Sequence, residues 1–260
     1  MHTVDTTPVL LIRGLMREQR HWGEFKPLLQ AALPNPVLSL NFAGCGELFQ
    51  QRSPCHISAL RQSVRQQLLV EPQFSGRVHL LAISLGGMLA LDWALSYPQE
   101  VASLTLINSS ARPLSPFYRR LNWRNYPRIV STLFASAMQR EQLILALTSN
   151  NTAKHSHILP DWQRWQQQCP VSTDNALRQL WAASRFKVTA KPQCPLLLIS
   201  SMQDRLVSPQ CSVDLARHWQ AQHIQHPWAG HDLPLDDAPW LVQRYQQQLR
   251  SFDSTERRFN

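Results

Sequence analysis

Glycine is scarce in this chain, with only eight among 260 residues. It costs chain entropy and is kept where φ is positive or where the backbone must approach a neighbour closely, so the position of each one is informative. Cysteine is sparse as well. Cys45, Cys55, Cys169, Cys194 and Cys211 are odd in number, scattered, and form no C-x-x-C pair, which argues against a disulfide framework and a structural zinc site. No apolar run approaches the ~20 residues that span a bilayer. The N-terminus, MHTVDTTPVLLIRG, lacks the basic and apolar regions of an export signal. These absences predict a cytoplasmic protein with reduced thiols. H-E-x-x-H, a phosphate-cradling loop and a dinucleotide fingerprint are missing too, so neither a metal nor a cofactor is implied.

Acidic residues are outnumbered, 17 Asp and Glu against 26 Lys and Arg, for a net charge of +9. Such a balance suits an acidic partner. The basic residues are dispersed rather than clustered, which argues against nucleic acid. There is no internal repeat and no low-complexity tract.

Short runs rich in Val, Ile and Leu recur at 8–12, 37–40, 78–83, 102–107 and 196–200. They lack polar alternation, as strands buried on both faces of a parallel sheet do. A last strand is expected near 222–227 and a closing helix at 239–250. Between the runs lie helical patterns at 21–33 (Trp22, Phe25, Leu28, Leu29 and Leu33 on one face), 58–69 and 88–98. This alternation predicts a doubly wound, mostly parallel α/β sheet. From Arg112 to Phe186 the rhythm breaks, and helical segments at 127–138, 140–150, 161–169 and 173–186 follow one another with no strand. An all-helical insertion there reads as a lid over the sheet's C-terminal edge, where open α/β sheets bind ligands. The expected division is a core of 1–111 with 187–260, and a lid of 112–186.

Six of the glycines fall in four turns at strand ends: Gly14, Gly44 with Gly46, Gly86 with Gly87, and Gly230. They ring one site. In VHLLAISLGGMLALDWA (78–94) a strand stops at Ser84, passes two glycines and continues as an apolar helix. Ser84 is therefore either a helix cap or a nucleophile held at a sharp turn. Ala82-Ile83-Ser84-Leu85-Gly86 resembles the small-x-Ser-x-Gly elbow of the α/β-hydrolase superfamily, and the resemblance runs along essentially the whole chain. SMQDRLVSP resembles the family's Asp-x-x-Val-x-Pro segment, WAGHDLP its Gly-His turn, and NFAGCGE its Asp-x-x-Gly-x-Gly turn, with Asn41 for the aspartate. The resemblance implies an α/β-hydrolase fold with Ser84 as nucleophile, His231 as base and Asp204 as the acid that orients it. It also implies oxyanion donors at the backbone N–H groups of Leu85 and Leu15, the latter in a loop where Arg13-Gly14 replaces the usual His-Gly. Arg13 is expected to tie that loop down through backbone carbonyls or, with Arg17 and Arg20, to bind an anionic substrate group. Cys45 has no elbow around it and is not read as a nucleophile.

Serine rather than aspartate at the elbow favours hydrolysis of a carboxylic ester, thioester or amide through an acyl-enzyme. The lid carries Phe117, Tyr118, Trp123, Tyr126, Phe134, Trp162, Trp165 and Trp181, which suit either an acyl pocket or packing against the core. Arg13, His21, Trp123, Phe134 and Trp181 are the pocket candidates. Arg119, Arg120, Arg124 and Arg128 interleave with the aromatics. In size and lid placement the chain is similar to carrier-protein methyl ester esterases of biotin synthesis. That similarity implies a small-molecule or carrier-tethered acyl ester substrate and an acidic carrier protein as partner. Two other readings of the fold stay open. One is a lyase of the menaquinone-pathway type, whose members carry an arginine where Met88 stands here; the other is a slow-turnover ligand-binding protein.

Overall fold

The computed structural model describes residues 6–259, apart from the side chains of Leu133 and of 253–259. Residues 1–5 and 260, at the ends of the expected core, lie outside the described residues. The strands are β1 (Val9–Ile12), β2 (Val37–Ser39), β3 (Val78–Ile83), β4 (Val101–Ile107), β5 (Leu196–Ser201) and β6 (Gln222–His226). They form one sheet in the order β2-β1-β3-β4-β5-β6, and every neighbouring pair is parallel. Helices α1 (Phe25–Ala32), α2 (Ile57–Leu68) and α3 (Leu85–Ser96) precede β4.

The pleat divides the core into two layers. Leu10, Ile12, Leu80, Ala82, Leu104 and Leu106 belong to a cluster with residues of α2 and α3. Val9, Leu11, Leu81, Ile83 and Ile107 pack with residues of α1 and of the closing helix. Both faces are covered, which is why the central strands read as unbroken apolar runs. Strand β6, at the edge, has the polar sequence QHIQH with Gln222 and Gln225 exposed, as an edge strand can.

Between β4 and β5 come α4 (Phe117–Arg120), α5 (Tyr126–Phe134), α6 (Ala137–Thr148), α7 (Thr152–His155), α8 (Leu159–Gln168) and α9 (Thr173–Arg185). The longer four correspond to the expected segments, whereas α4 and α7 are single turns, too short to show a period. After β5 come α10 (Gln210–Trp219), α11 (Leu233–Asp236) and α12 (Ala238–Phe259). Among the described residues no helix is long and apolar enough to cross a membrane.

Several expected helices differ in their bounds: the closing helix runs on to Phe259 rather than to 250, and α5 stops at Phe134 rather than at 138. The pattern at 21–33 splits into a 3-10 turn (Gln19–Trp22) and α1, because Gly23 at φ +50° breaks the chain between them. Helix α3 begins at Leu85 rather than at 88, since the elbow glycines lie inside its first turn.

The insertion is sewn to the core by buried polar side chains. Glu141 accepts from Arg17 at 2.6 Å, and Ser149 donates to Asp236 at 2.5 Å. The side-chain oxygens of Asn175 and Gln179 accept from the backbone N–H groups of Ser53 at 2.8 Å and Met16 at 3.1 Å.

Candidate active site

The strand order reverses direction between β1 and β3, so the loops leaving their C-terminal ends diverge and open a crevice. Ser84 sits at the end of β3 with φ +58° and ψ −122°, a backbone conformation that costs a non-glycine residue about 1–3 kcal/mol. Its surroundings hold it there. The Ser84 N–H donates to the Ile107 carbonyl at 2.9 Å, and the Ser109 hydroxyl donates to the Ser84 carbonyl at 2.8 Å. A Cβ on Gly86 would lie 2.3 Å from the Arg13 carbonyl oxygen, and one on Gly87 would lie 2.6 Å from Ser109 Oγ. On Gly14 it would come within 3.0 Å of Ser84 Cβ. The glycines let the elbow press against the end of β1. The Ser84 side chain makes no capping bond to α3, so the helix-cap explanation falls.

Asp204 and His231 meet on the loops after β5 and β6. One Asp204 oxygen accepts from the N–H groups of Leu206 and Val207 at 2.8 and 3.0 Å, and the other faces His231 Nδ1 at 2.7 Å. An ionised carboxylate only accepts, so in the neutral imidazole Nδ1 carries the proton and Nε2 keeps the lone pair. Asn108, at φ +47° after β4, donates to the His231 carbonyl at 2.8 Å and accepts from the Ser201 N–H at 2.8 Å. Ser84 and His231 line the same cavity. Leu85 is the first residue of α3, where N–H groups have no partner within the helix. Leu15 borders the cavity beside Ser84, and the next residue, Met16 at φ +56°, is pinned by Gln179.

The cavity has two arms that share Leu15, Ser84, Leu121, Leu180 and Leu206. One includes His231 and the aliphatic side chains of Ile129, Ile144 and Leu147. The other includes Leu85, Met88, Ser110, Arg120 and Tyr126.

Several expected residues fall elsewhere. Arg13 does border the cavity, but it bonds neither backbone carbonyls nor free space: its two terminal nitrogens reach the Asp232 carboxylate at 3.0 and 2.6 Å, with both side chains buried. Burial raises the Asp232 pKa, but the adjacent Arg13 charge outweighs it, so the carboxyl stays below its ordinary 3.8. Arg17 and Arg20 are likewise taken, by Glu141 and Glu18. His21 lines neither arm; it is buried beneath Arg17, edge-on to Trp162 and Trp165. Burial, reinforced by Arg17, holds it well below its ordinary 6.5. Trp123, Phe134 and Trp181 are exposed, and none of them borders either arm. The Cys45 thiol is pushed up to about 12 by burial, which keeps it protonated. Among the described residues no three His, Cys, Asp or Glu side chains gather as metal ligands would.

A profile of the alpha/beta hydrolase fold matches residues 7–238. The chain belongs to the α/β-hydrolase family. A Pseudomonas savastanoi pv. phaseolicola protein named "Putative carbamate hydrolase RutD" is 28% identical over 241 residues, covering 90% of each chain. A protein of the same name from Klebsiella pneumoniae is 27% identical, covering 88% of this chain and 86% of its own. Among solved structures, a thermophilic esterase from Thermogutta terrifontis superposes with a TM-score of 0.76 at 19% identity, covering 96% of this chain and 92% of the esterase. A 2-hydroxy-6-oxo-6-phenylhexa-2,4-dienoate hydrolase from Rhodococcus sp. strain RHA1 gives 0.77 at 16% identity, covering 94% and 91%. At such identities the structures share the fold. Family membership and the named relatives support a hydrolytic enzyme.

Proposed function

We propose that this α/β-hydrolase is a serine hydrolase that cleaves a carboxylic ester or thioester through an acyl-enzyme. The observation that carries this reading is the Asp204–His231 Nδ1 hydrogen bond beside a cavity that Ser84 and His231 both line; in the neutral imidazole it reserves Nε2 as the base. In the proposed cycle Nε2 takes the Ser84 proton as Oγ attacks the acyl carbon. The oxyanion is held by the N–H groups of Leu15 and Leu85, each worth ~3 kcal/mol in the transition state. The imidazolium, balanced by Asp204, returns the proton to the leaving group. Water then enters by the same base and frees the acid. Substrate binds under the 112–186 lid. A carbamate carbonyl offers the same electrophile, and the relatives' name places carbamates on the substrate panel. Exposed Arg128, and exposed Arg124 stacked on Trp123, suit an acidic carrier that delivers the acyl group.

Intact-mass labelling with a fluorophosphonate, together with turnover of p-nitrophenyl esters of graded length, tests the reading. One adduct on the wild type, absent from Ser84→Ala, with multiple turnovers on some ester, is expected. Labelling without turnover would favour the ligand-binding alternative, and no labelling would sink the nucleophile assignment.

A further inference from the structure

Four arginines are buried among the described residues, and three of them have a carboxylate: Arg13 pairs with Asp232, Arg17 with Glu141 and Arg61 with Asp92. Arg120 is the exception. It is 8% exposed, and among the described residues no carboxylate pairs with it. Its terminal nitrogens donate to the Ala183 and Ser184 carbonyls at 2.6 and 3.2 Å and touch the Met88 sulfur at 4.0 Å. Its Nε is buried without a hydrogen-bond partner, as is the hydroxyl of Ser110, and both residues border the same arm of the cavity. The carbonyls at the end of α9 supply about half a negative charge. A full cation out of water is costly unless it is fully paired, and two orphaned polar groups on one cavity wall mark where a partner is missing.

We propose that Arg120 is a specificity-determining residue that binds a carboxylate at the far end of the substrate's acyl group, with the Ser110 hydroxyl as a second donor. The assignment of that carboxylate to the acyl part rests on the serine-hydrolase reading. His231 must protonate the leaving group, so the leaving group occupies the arm that His231 lines. The acyl group stays on Ser84 and fills the other arm, which Leu85 and Arg120 border. The preferred substrates are then half-esters or half-thioesters of dicarboxylic acids.

The test compares monoethyl esters of succinic, glutaric and adipic acid with the ethyl esters of butanoic, pentanoic and hexanoic acid, followed by acid release. At the best-fitting length the wild type should favour the half-ester in kcat/KM by about tenfold or more, the scale of one charge-assisted hydrogen bond. In Arg120→Met that ratio should fall to one or below, and Arg120→Lys should recover part of it. A residue that only ends α9 would lower both substrates together and leave the ratio unchanged, which would overturn the assignment. So would a wild type that prefers the neutral ester at every length. Calorimetric binding of the same pairs to Ser84→Ala gives a readout free of turnover and of the folding of the Arg120 variants. Tighter binding of the half-ester supports the site even if the wild type cleaves nothing and the proposed reaction falls; equal or weaker binding refutes it.

Discussion

Arg13 and Asp232 flank two residues of the proposed site, one before Gly14 and the other after His231, and they bind each other across 219 positions. Their bond clips the loop after β1 to the loop that carries the histidine. Replacing Arg13 by Met would leave the Asp232 carboxylate buried and unpaired, at a cost of roughly 3–5 kcal/mol. Urea unfolding should show that loss in Arg13→Met and its partial recovery in Arg13→Met with Asp232→Leu. Because Asp232 titrates below its ordinary 3.8 in the folded protein, its contribution is present above that pH and disappears as pH falls through the folded value. Gly86→Ala is the harsher change. Its methyl would strike the carbonyls of Arg13 and Ile12, which are main chain and cannot swing aside, so the variant should express insoluble or melt many degrees lower. The placement of Ser84, Asp204 and His231 just after strands was legible because each sits in a short local pattern. The partners of Arg13, Asn108 and Gln179 were not, since a hydrogen bond between distant segments leaves no mark on the spacing of either.

At the scale of helices, period was a sound guide and rotation was not. Segments α5, α6, α8 and α9 were visible as apolar repeats, and the β-runs were visible because both sheet faces are covered. Which side of α5 or α9 faces the cavity was hidden. Trp181 points outward while its neighbour Leu180 lines both arms, and Phe134 is exposed while Ile129 lines the wall. One residue is about 100° of helix, and the aromatic was the wrong choice of the pair. Helix α9 has a second task through Gln179, fully buried, whose oxygen holds the Met16 N–H and whose nitrogen donates to Ser53 Oγ at 3.0 Å. Gln179→Leu would free the loop that presents the Leu15 N–H. Steady-state kinetics should show kcat reduced about tenfold or more with KM little changed, the signature of a donor lost chiefly in the transition state.

The molecule as a whole should lose stability on mild acidification. His21, His155 and His223 are all held below their ordinary 6.5, first by burial. Below that pH the unfolded chain takes up protons that the folded chain resists, so unfolding binds protons and stability falls with pH. The slope is at most about 1.4 kcal/mol per pH unit for each group. Unfolding free energies measured from pH 7.5 to 5 (roughly the range where histidine titrates) should fall steadily, and less steeply in His21→Gln. A pH-independent wild type would contradict the burial argument. The same architecture separates what this protein can change from what it must keep. Ser84 is held by a carbonyl of β4 and by Ser109 just after it, and His231 by Asn108 on that same loop, so in the proposed site the reacting atoms take their positions from the sheet. The insertion supplies nearly half of the cavity wall and is bound to the rest of the chain through Glu141, Ser149, Asn175 and Gln179. With those four anchors kept, Leu121, Ile129, Ile144 and Leu180 can be exchanged to reshape what the cavity admits while the strand-end residues stay where they are.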